Sequence, residues 1–143
     1  MRKAVKPAVL FLVGGTIYYL LESGWKSYTG KPTHWTMFVL GGLLFLAIGA
    51  INEYIPWETG FFTQAIIGAA VITGGELIAG IILNLWLGLG IWDYSHLPLN
   101  ILGQICLPFC LLWILAAAFA IVLDDWLRWR LFGEERPHYR FGF

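Results

Sequence analysis

Residues Phe61–Gly88 read FFTQAIIGAAVITGGELIAGIILNLWLG, a long apolar run with one formal charge, Glu76. A helix that crosses a bilayer needs about 20 mostly apolar residues, so this run is long enough to cross and to tilt. Its apolar residues are continuous rather than alternating, which excludes the period-two pattern of a barrel strand. In lipid such a backbone must satisfy its own hydrogen bonds, and a helix does so.

Three further runs have the same character: about 7–24 (PAVLFLVGGTIYYLLESG), 35–51 (WTMFVLGGLLFLAIGAI) and 101–123 (ILGQICLPFCLLWILAAAFAIVL). The whole 143-residue chain is 59% apolar and 13% charged, with a mean hydropathy of +0.72. Soluble domains average about 25% charged residues, so an aqueous surface could not be covered. Disordered chains, nucleic-acid-binding domains and ordinary cytosolic enzymes are excluded. Nine basic and nine acidic residues cancel, so no net field steers anionic partners. The sequence predicts an all-α polytopic membrane protein, a bundle of four transmembrane helices over residues 1–123.

The basic residues set the orientation. Arg2, Lys3 and Lys6 precede the first run, and Arg128, Arg130, Arg136 and Arg140 follow the fourth. Only Lys26 and Lys31 fall in the first loop. Both termini are therefore expected to be cytoplasmic. Trp25, Trp35, Trp57, Trp92, Trp126 and Trp129 fall near run ends, where interfacial aromatic belts lie. The first run lacks a small-residue cleavage site and carries Tyr18, Tyr19 and Glu22, so it reads as a retained helix rather than a signal peptide. Residues 124–143 read as a short charged tail. The fourth helix continues into it, Gly133 stops the helix, Pro137 prevents its resumption, and the remainder is a solvated end.

Ionisable groups inside a span are costly, about 2.5–3.5 kcal/mol on insertion scales, and are therefore candidates for function. Glu76 lies mid-run and Glu22 near the end of the first. Glu76, Gly80 and Asn84 step by four and share one helix face, joined by Thr73. Phe11, Gly15, Tyr18 and Glu22 form a second stripe. Asn100, Gln104 and Pro108 form a third, with Pro108 expected to kink its helix and Asn100 to cap it. Small residues mixed with polar ones mark bundle-facing surfaces. The pairs Gly14-Gly15, Gly41-Gly42 and Gly74-Gly75 read as close-packing sites. The second run carries nothing ionisable, so it packs or faces lipid. By depth, Glu22, Asn84, Asp93, His96, Asn100 and Gln104 fall in the outer half, describing an outward polar cavity with Glu76 at its base. Glu76 reads equally as a functional carboxyl or as a protonated structural one, and Glu22 could simply snorkel to the surface.

The segment Ile91–Trp113, IWDYSHLPLNILGQICLPFCLLW, has turn-forming Asp93 and Ser95, a Pro at 98, and interfacial Trp92 and Tyr94. It reads as a structured loop over the cavity. Through Trp92-Asp93-Tyr94-Ser95, Pro98, Asn100, Gly103, Ile105-Cys106-Leu107, Phe109 and Trp113, the chain resembles the bacterial membrane proteins grouped as ABC-transporter type IV, or CmpB-like. Glu76 with Gly80 also matches that family's Glu-x-x-x-Gly helix. The resemblance implies a small multi-pass protein of the bacterial inner (plasma) membrane. With no GxxxxGK[ST] phosphate loop, any ATPase would be a separate chain. Four helices are few for a permease, so a homo-oligomer or other membrane subunits are expected as partners beside the lipid bilayer, and no nucleic acid.

Cys106 and Cys110 are four apart on one face, a spacing for packing rather than for a metal or a disulfide. His96 is a weak metal candidate. No HExxH or GxSxG occurs, so no catalytic residue and no cofactor is assigned. Three functions remain. The first is a transport component in which Glu22, Glu76, Asn84, Asp93, Gln104, Tyr18 and Asn100 bind a substrate or ion. The second is a non-catalytic packing or regulatory subunit. The third is a membrane-embedded enzyme acting on lipid.

Overall fold

The computed structural model describes residues 2–27, 30, 33–56 and 59–142. Lys31 and Trp57, and the side chains of Arg2 and Lys3, which entered the charge and aromatic arguments above, lie outside the described residues. Helix α1 is Arg2–Lys26, α2 is Thr36–Gly49, α3 is Ile51–Tyr54, α4 is Phe61–Gly80 and α5 is Leu107–Phe132. The axis of α4 continues through π-helical turns at Ile81–Trp86. Among the described residues the only β pairing is an isolated bridge of Ile101 with Ile105.

Three helical segments are long and apolar enough to cross a membrane: Val5–Lys26, Phe61–Trp86 and Leu107–Phe132. At about 1.5 Å per residue α2 alone spans about 21 Å, short of a bilayer core of about 30 Å. Ala50 keeps right-handed helical angles between α2 and α3. Its N–H still bonds Leu46 O, and Tyr54 N–H bonds Ala50 O. Residues 36–54 therefore make one nearly continuous rod.

Helix α2 packs at the centre. Met37, Leu40, Leu44, Phe45 and Ile48 are buried on it, and α1, α4 and α5 all contact it. The close approach to α1 depends on glycine. A Cβ on Gly14 would enter Phe45, one on Gly41 would enter Tyr18, and one on Gly42 would enter the Phe11 ring. Gly75 makes room for Leu44 in the same way, whereas nothing lies near Gly74. Helix α5 packs antiparallel to α4, with Ala117 seated on Gly68.

The fourth predicted helix is displaced. It begins at Leu107, not near residue 101, and runs to Phe132. Pro108 sits in its first turn, where its missing N–H costs nothing, so it starts the helix instead of kinking it. Asn100 is not its cap, because extended Cys106 precedes the first turn. The far end agrees with expectation: Gly133 takes a left-handed φ of 67° and closes α5. Lys26 belongs to the last turn of α1 rather than to a loop, and is buried.

The chain beyond Gly133 is not simply a solvated end. The Phe61 N–H donates to Arg140 O at 2.7 Å, and Phe62 N–H to Gly142 O at 3.1 Å. The arm thus satisfies donors that the first turn of α4 leaves unpaired. Tyr139 and Phe141 pack their rings on Phe61, and the Tyr139 hydroxyl donates to Asp125 Oδ2 at 2.7 Å. The same end carries an ion network. Arg128 Nε bonds Asp124 Oδ2 at 2.9 Å, and Glu134 receives Lys6 Nζ at 2.7 Å. The start of α1 and the end of α5 therefore lie at one end of the bundle.

Candidate functional site

Tyr18 and Glu76, 58 residues apart, come together between α1 and α4. The Tyr18 hydroxyl donates to Glu76 Oε1 at 2.8 Å. Glu76 is 2% exposed, and its Oε2 accepts no hydrogen bond among the described residues, although Trp113 of α5 interacts with the same carboxyl. A buried polar atom without a partner is costly, by about 1–3 kcal/mol, and is therefore unusual in a native fold. Glu22 lies one helical turn beyond Tyr18 and pairs with Lys26 Nζ at 3.9 Å.

A cleft of about 620 Å³ adjoins this pair, within the size range of small-molecule sites. Its floor is α2 with Ile72 of α4, and its two walls are α1 and α5. These two helices contact α2 but separate from each other along most of their length. They come together towards their two ends. At one, Lys6 bonds Glu134 just past α5, and Leu10 and Leu127 share a buried cluster with Phe45; at the other, Trp25 meets Phe109 edge-to-face at 5.9 Å. Between these ends the cleft is open to the side. Tyr18, Glu22 and Tyr94 are its polar lining groups, and the rest of the surface is apolar.

The other predicted site residues build the loop between the π-helical turns and α5. Asn84 Nδ2 donates to Gln104 Oε1 at 2.7 Å, while Asn84 Oδ1 accepts Ile91 N–H at 2.6 Å. Gln104 is therefore not on a helix face with Pro108. It is a buried loop residue against Gly80, where a Cβ would meet its side chain. Asn100 Nδ2 donates to Ser95 O and Leu97 O, and Asn100 Oδ1 accepts Gly103 N–H. These bonds hold Leu99 and Leu102 at positive φ, 52° and 57°. Trp92 Nε1 donates to Gln104 O at 3.0 Å. The polar cavity expected from depth thus divides in two: a Tyr18–Glu76–Glu22 group beside an apolar cleft, and a loop whose amides bond one another.

Asp93 is an exposed part of that loop. Its Oδ1 accepts Ser95 N–H at 2.8 Å, and the Ser95 backbone bond, then the hydroxyl, holds the carboxyl below the ordinary Asp value. A lowered folded value means that this stabilisation is complete above the unfolded pKa of about 3.9 and is lost as pH falls through the folded one. A ¹³C carboxyl titration should place the Asp93 midpoint below the ordinary value; a midpoint at or above it would refute the Ser95 contact.

His96 is exposed next to Asp93. Among the described residues no three His, Cys, Asp or Glu form a metal-ligand group. Cys106 and Cys110 are free thiols, and Cys110 Sγ accepts the Thr73 hydroxyl at 3.5 Å. The sequence reading names Tyr94, Phe109 and Trp113 as motif positions but does not place them together at the site. Tyr94 stacks on Phe109 at 4.6 Å, and Phe109 leans on Trp113 at 6.0 Å. The i, i+4 spacing of Phe109 and Trp113 is the signal that could have found that grouping. It also missed the Asp124–Arg128 pair, spaced by four and buried, by reading both residues only as tail charges.

An all-helical fold with three crossing-length apolar helices, exposed apolar faces and a side-opening cleft defines a helical membrane protein. The chain belongs to the family described as "Putative ABC-transporter type IV", whose pattern matches residues 9–132. No curated protein and no solved structure matches it.

Proposed function

We propose that this chain is a small transport component of the bacterial inner membrane, with Glu76, Tyr18 and Glu22 as its substrate- or ion-binding centre. The observation that carries this reading is the buried Glu76 carboxyl. One oxygen accepts the Tyr18 hydroxyl, and the other has no hydrogen bond among the described residues, with Trp113 beside the same carboxyl and a cleft large enough for a ligand adjoining it. Such a group can take up a proton or a cation that a fully satisfied structural carboxyl could not. The rod of residues 36–54, about 28 Å long, provides the fourth crossing. The grouping of Lys6 with the basic end of α5 supports cytoplasmic termini under the positive-inside rule. The chain works as an oligomer or beside other membrane subunits, and any ATP hydrolysis belongs to a separate chain.

Proteoliposomes holding the purified chain should pass protons or monovalent cations faster than empty liposomes. Dicyclohexylcarbodiimide, which modifies carboxyls in apolar surroundings, should block that flux while labelling Glu76 or Glu22 in a peptide map. Flux equal to that of empty liposomes would remove the transport reading. One observation favours a packing or regulatory subunit instead: the Tyr18–Glu76 bond also ties α1 to α4, which otherwise barely touch. That reading expects no flux and no effect of the reagent.

A further inference from the structure

The cleft has two chemically different parts. Most of its length is apolar, and its mouth is formed by Leu21, Leu112, Leu115 and Phe119, all substantially exposed. Exposed apolar walls open to the side admit a ligand from the lipid phase without a water-filled path. The end nearest the loop differs. Four rings, Trp25, Tyr94, Phe109 and Trp113, line it, and the other three each contact the Phe109 ring. Glu22 stands on the wall beside them, and Glu76 lies behind Tyr18.

We propose that the cleft binds an amphiphilic organic cation, its ammonium or phosphonium centre among the four rings and the two carboxyls and its apolar body along the α1–α5 groove. This rests on the transport reading only in sharing its site, and adds the substrate class. Aromatic faces attract a cation by about 0.5–2 kcal/mol each, most strongly where water is excluded. Two acids face one base, Lys26, at this end, so a single positive charge completes the balance when both are ionised. Other occupants fit less well. A bare metal ion needs several oxygen ligands, which four rings cannot supply. An anion would meet Glu22 on the wall, with Glu76 behind Tyr18 adding to the repulsion. A neutral lipid, or an apolar helix of a second copy, would fill the groove but leave the carboxyls unanswered.

The test is equilibrium dialysis of labelled tetraphenylphosphonium against the full chain in a maltoside detergent. Saturable binding near one site per chain is expected, displaced by hexyltrimethylammonium and not by hexyl sulfonate. Trp113→Leu and Tyr94→Leu should each weaken it about tenfold, while Tyr94→Phe, which keeps the ring, should bind as the parent does. An unfolding midpoint of Tyr94→Leu equal to the parent's separates a lost cation contact from a misfolded loop. Absent binding, or equal displacement by the sulfonate, overturns the proposal, including the case in which a second copy occupies the groove. Flux without cation binding overturns this inference and leaves the transport reading standing. Cation binding without flux does the reverse.

Discussion

Glu76→Gln should lower flux through the reconstituted chain by about ten- to a hundredfold while leaving the fold intact. Gln has the shape of Glu, and its Oε1 can still accept the Tyr18 hydroxyl that now bonds Glu76 at 2.8 Å. Its amide nitrogen would occupy the place of the oxygen that has no hydrogen bond among the described residues. Exchanging one unsatisfied polar atom for another changes stability by about 1 kcal/mol at most. The substitution removes the ability to bind a proton or to pair with a cation. A hydrogen bond or contact to a charged group contributes about 1.5–3 kcal/mol, which sets the size of the expected loss. Tyr18→Phe probes the same pair from the other side. It keeps the carboxyl but removes the hydroxyl that Oε1 accepts, so it should destabilise the protein by about 1–3 kcal/mol and reduce flux less than Glu76→Gln does. Matched unfolding midpoints with unchanged flux in Glu76→Gln would return Glu76 to a purely structural role.

That pair also shows how far the chain could be read without coordinates. Apolar length found the helices, because a lipid-facing rod needs little else. Spacing correctly put Tyr18 with Glu22 and Glu76 with Gly80 on polar, small-residue stripes. It could not say which stripes meet. Glu76 turns to Tyr18 on α1, while Gly80 and Asn84, on the same stripe, turn to Gln104 in the loop. The order in which helices pack decides this, and no local pattern encodes it. Pro108 illustrates a second limit. A proline within an apolar run is consistent with a kink or with a first turn, and only the folded loop before it, with Leu102 and Gly103 at positive φ, selects the start. The C-terminal arm illustrates a third. Its hydrogen bonds to α4 run from backbone N–H to backbone carbonyl and leave no side-chain signature, and the rings of Tyr139 and Phe141 do not by themselves name Phe61 as their partner. The aromatic end of the cleft was partly legible: Trp92-Asp93-Tyr94-Ser95 stood out as a motif, but the stacking of Tyr94 on Phe109 depends on the loop closing over α5.

The glycine pairs look alike in sequence and differ in the fold, and the largest stability effect is expected from that difference. Gly41→Val should cost about 3 kcal/mol or more. Its Cβ would enter Tyr18 Cβ on one side, and on the other would lie 3.1 Å from the Gly14 carbonyl oxygen. The carbonyl belongs to the backbone of α1 and cannot swing away, so α1 must move off α2. Overpacking of this kind costs about 1–3 kcal/mol and more when the backbone is displaced. Relief of glycine's helix penalty returns only about 0.5–1 kcal/mol. Gly74→Ala is the contrast, since nothing lies within 4 Å of its added Cβ. It should be neutral or stabilising by about 0.5–1 kcal/mol. Denaturation midpoints of the two variants in detergent measure both values, and equal midpoints would contradict the α1–α2 contact. The effect also reaches the site. Tyr18 is the side chain that Gly41 admits, so moving α1 draws its hydroxyl from Glu76 and shifts the wall carrying Glu22 and Trp25. Any Gly41→Val protein that still folds should therefore lose cation binding together with stability, whereas Gly74→Ala should change neither for the worse. A variant that kept full binding despite a displaced α1 would mean that the Tyr18–Glu76 pair is not part of the binding centre.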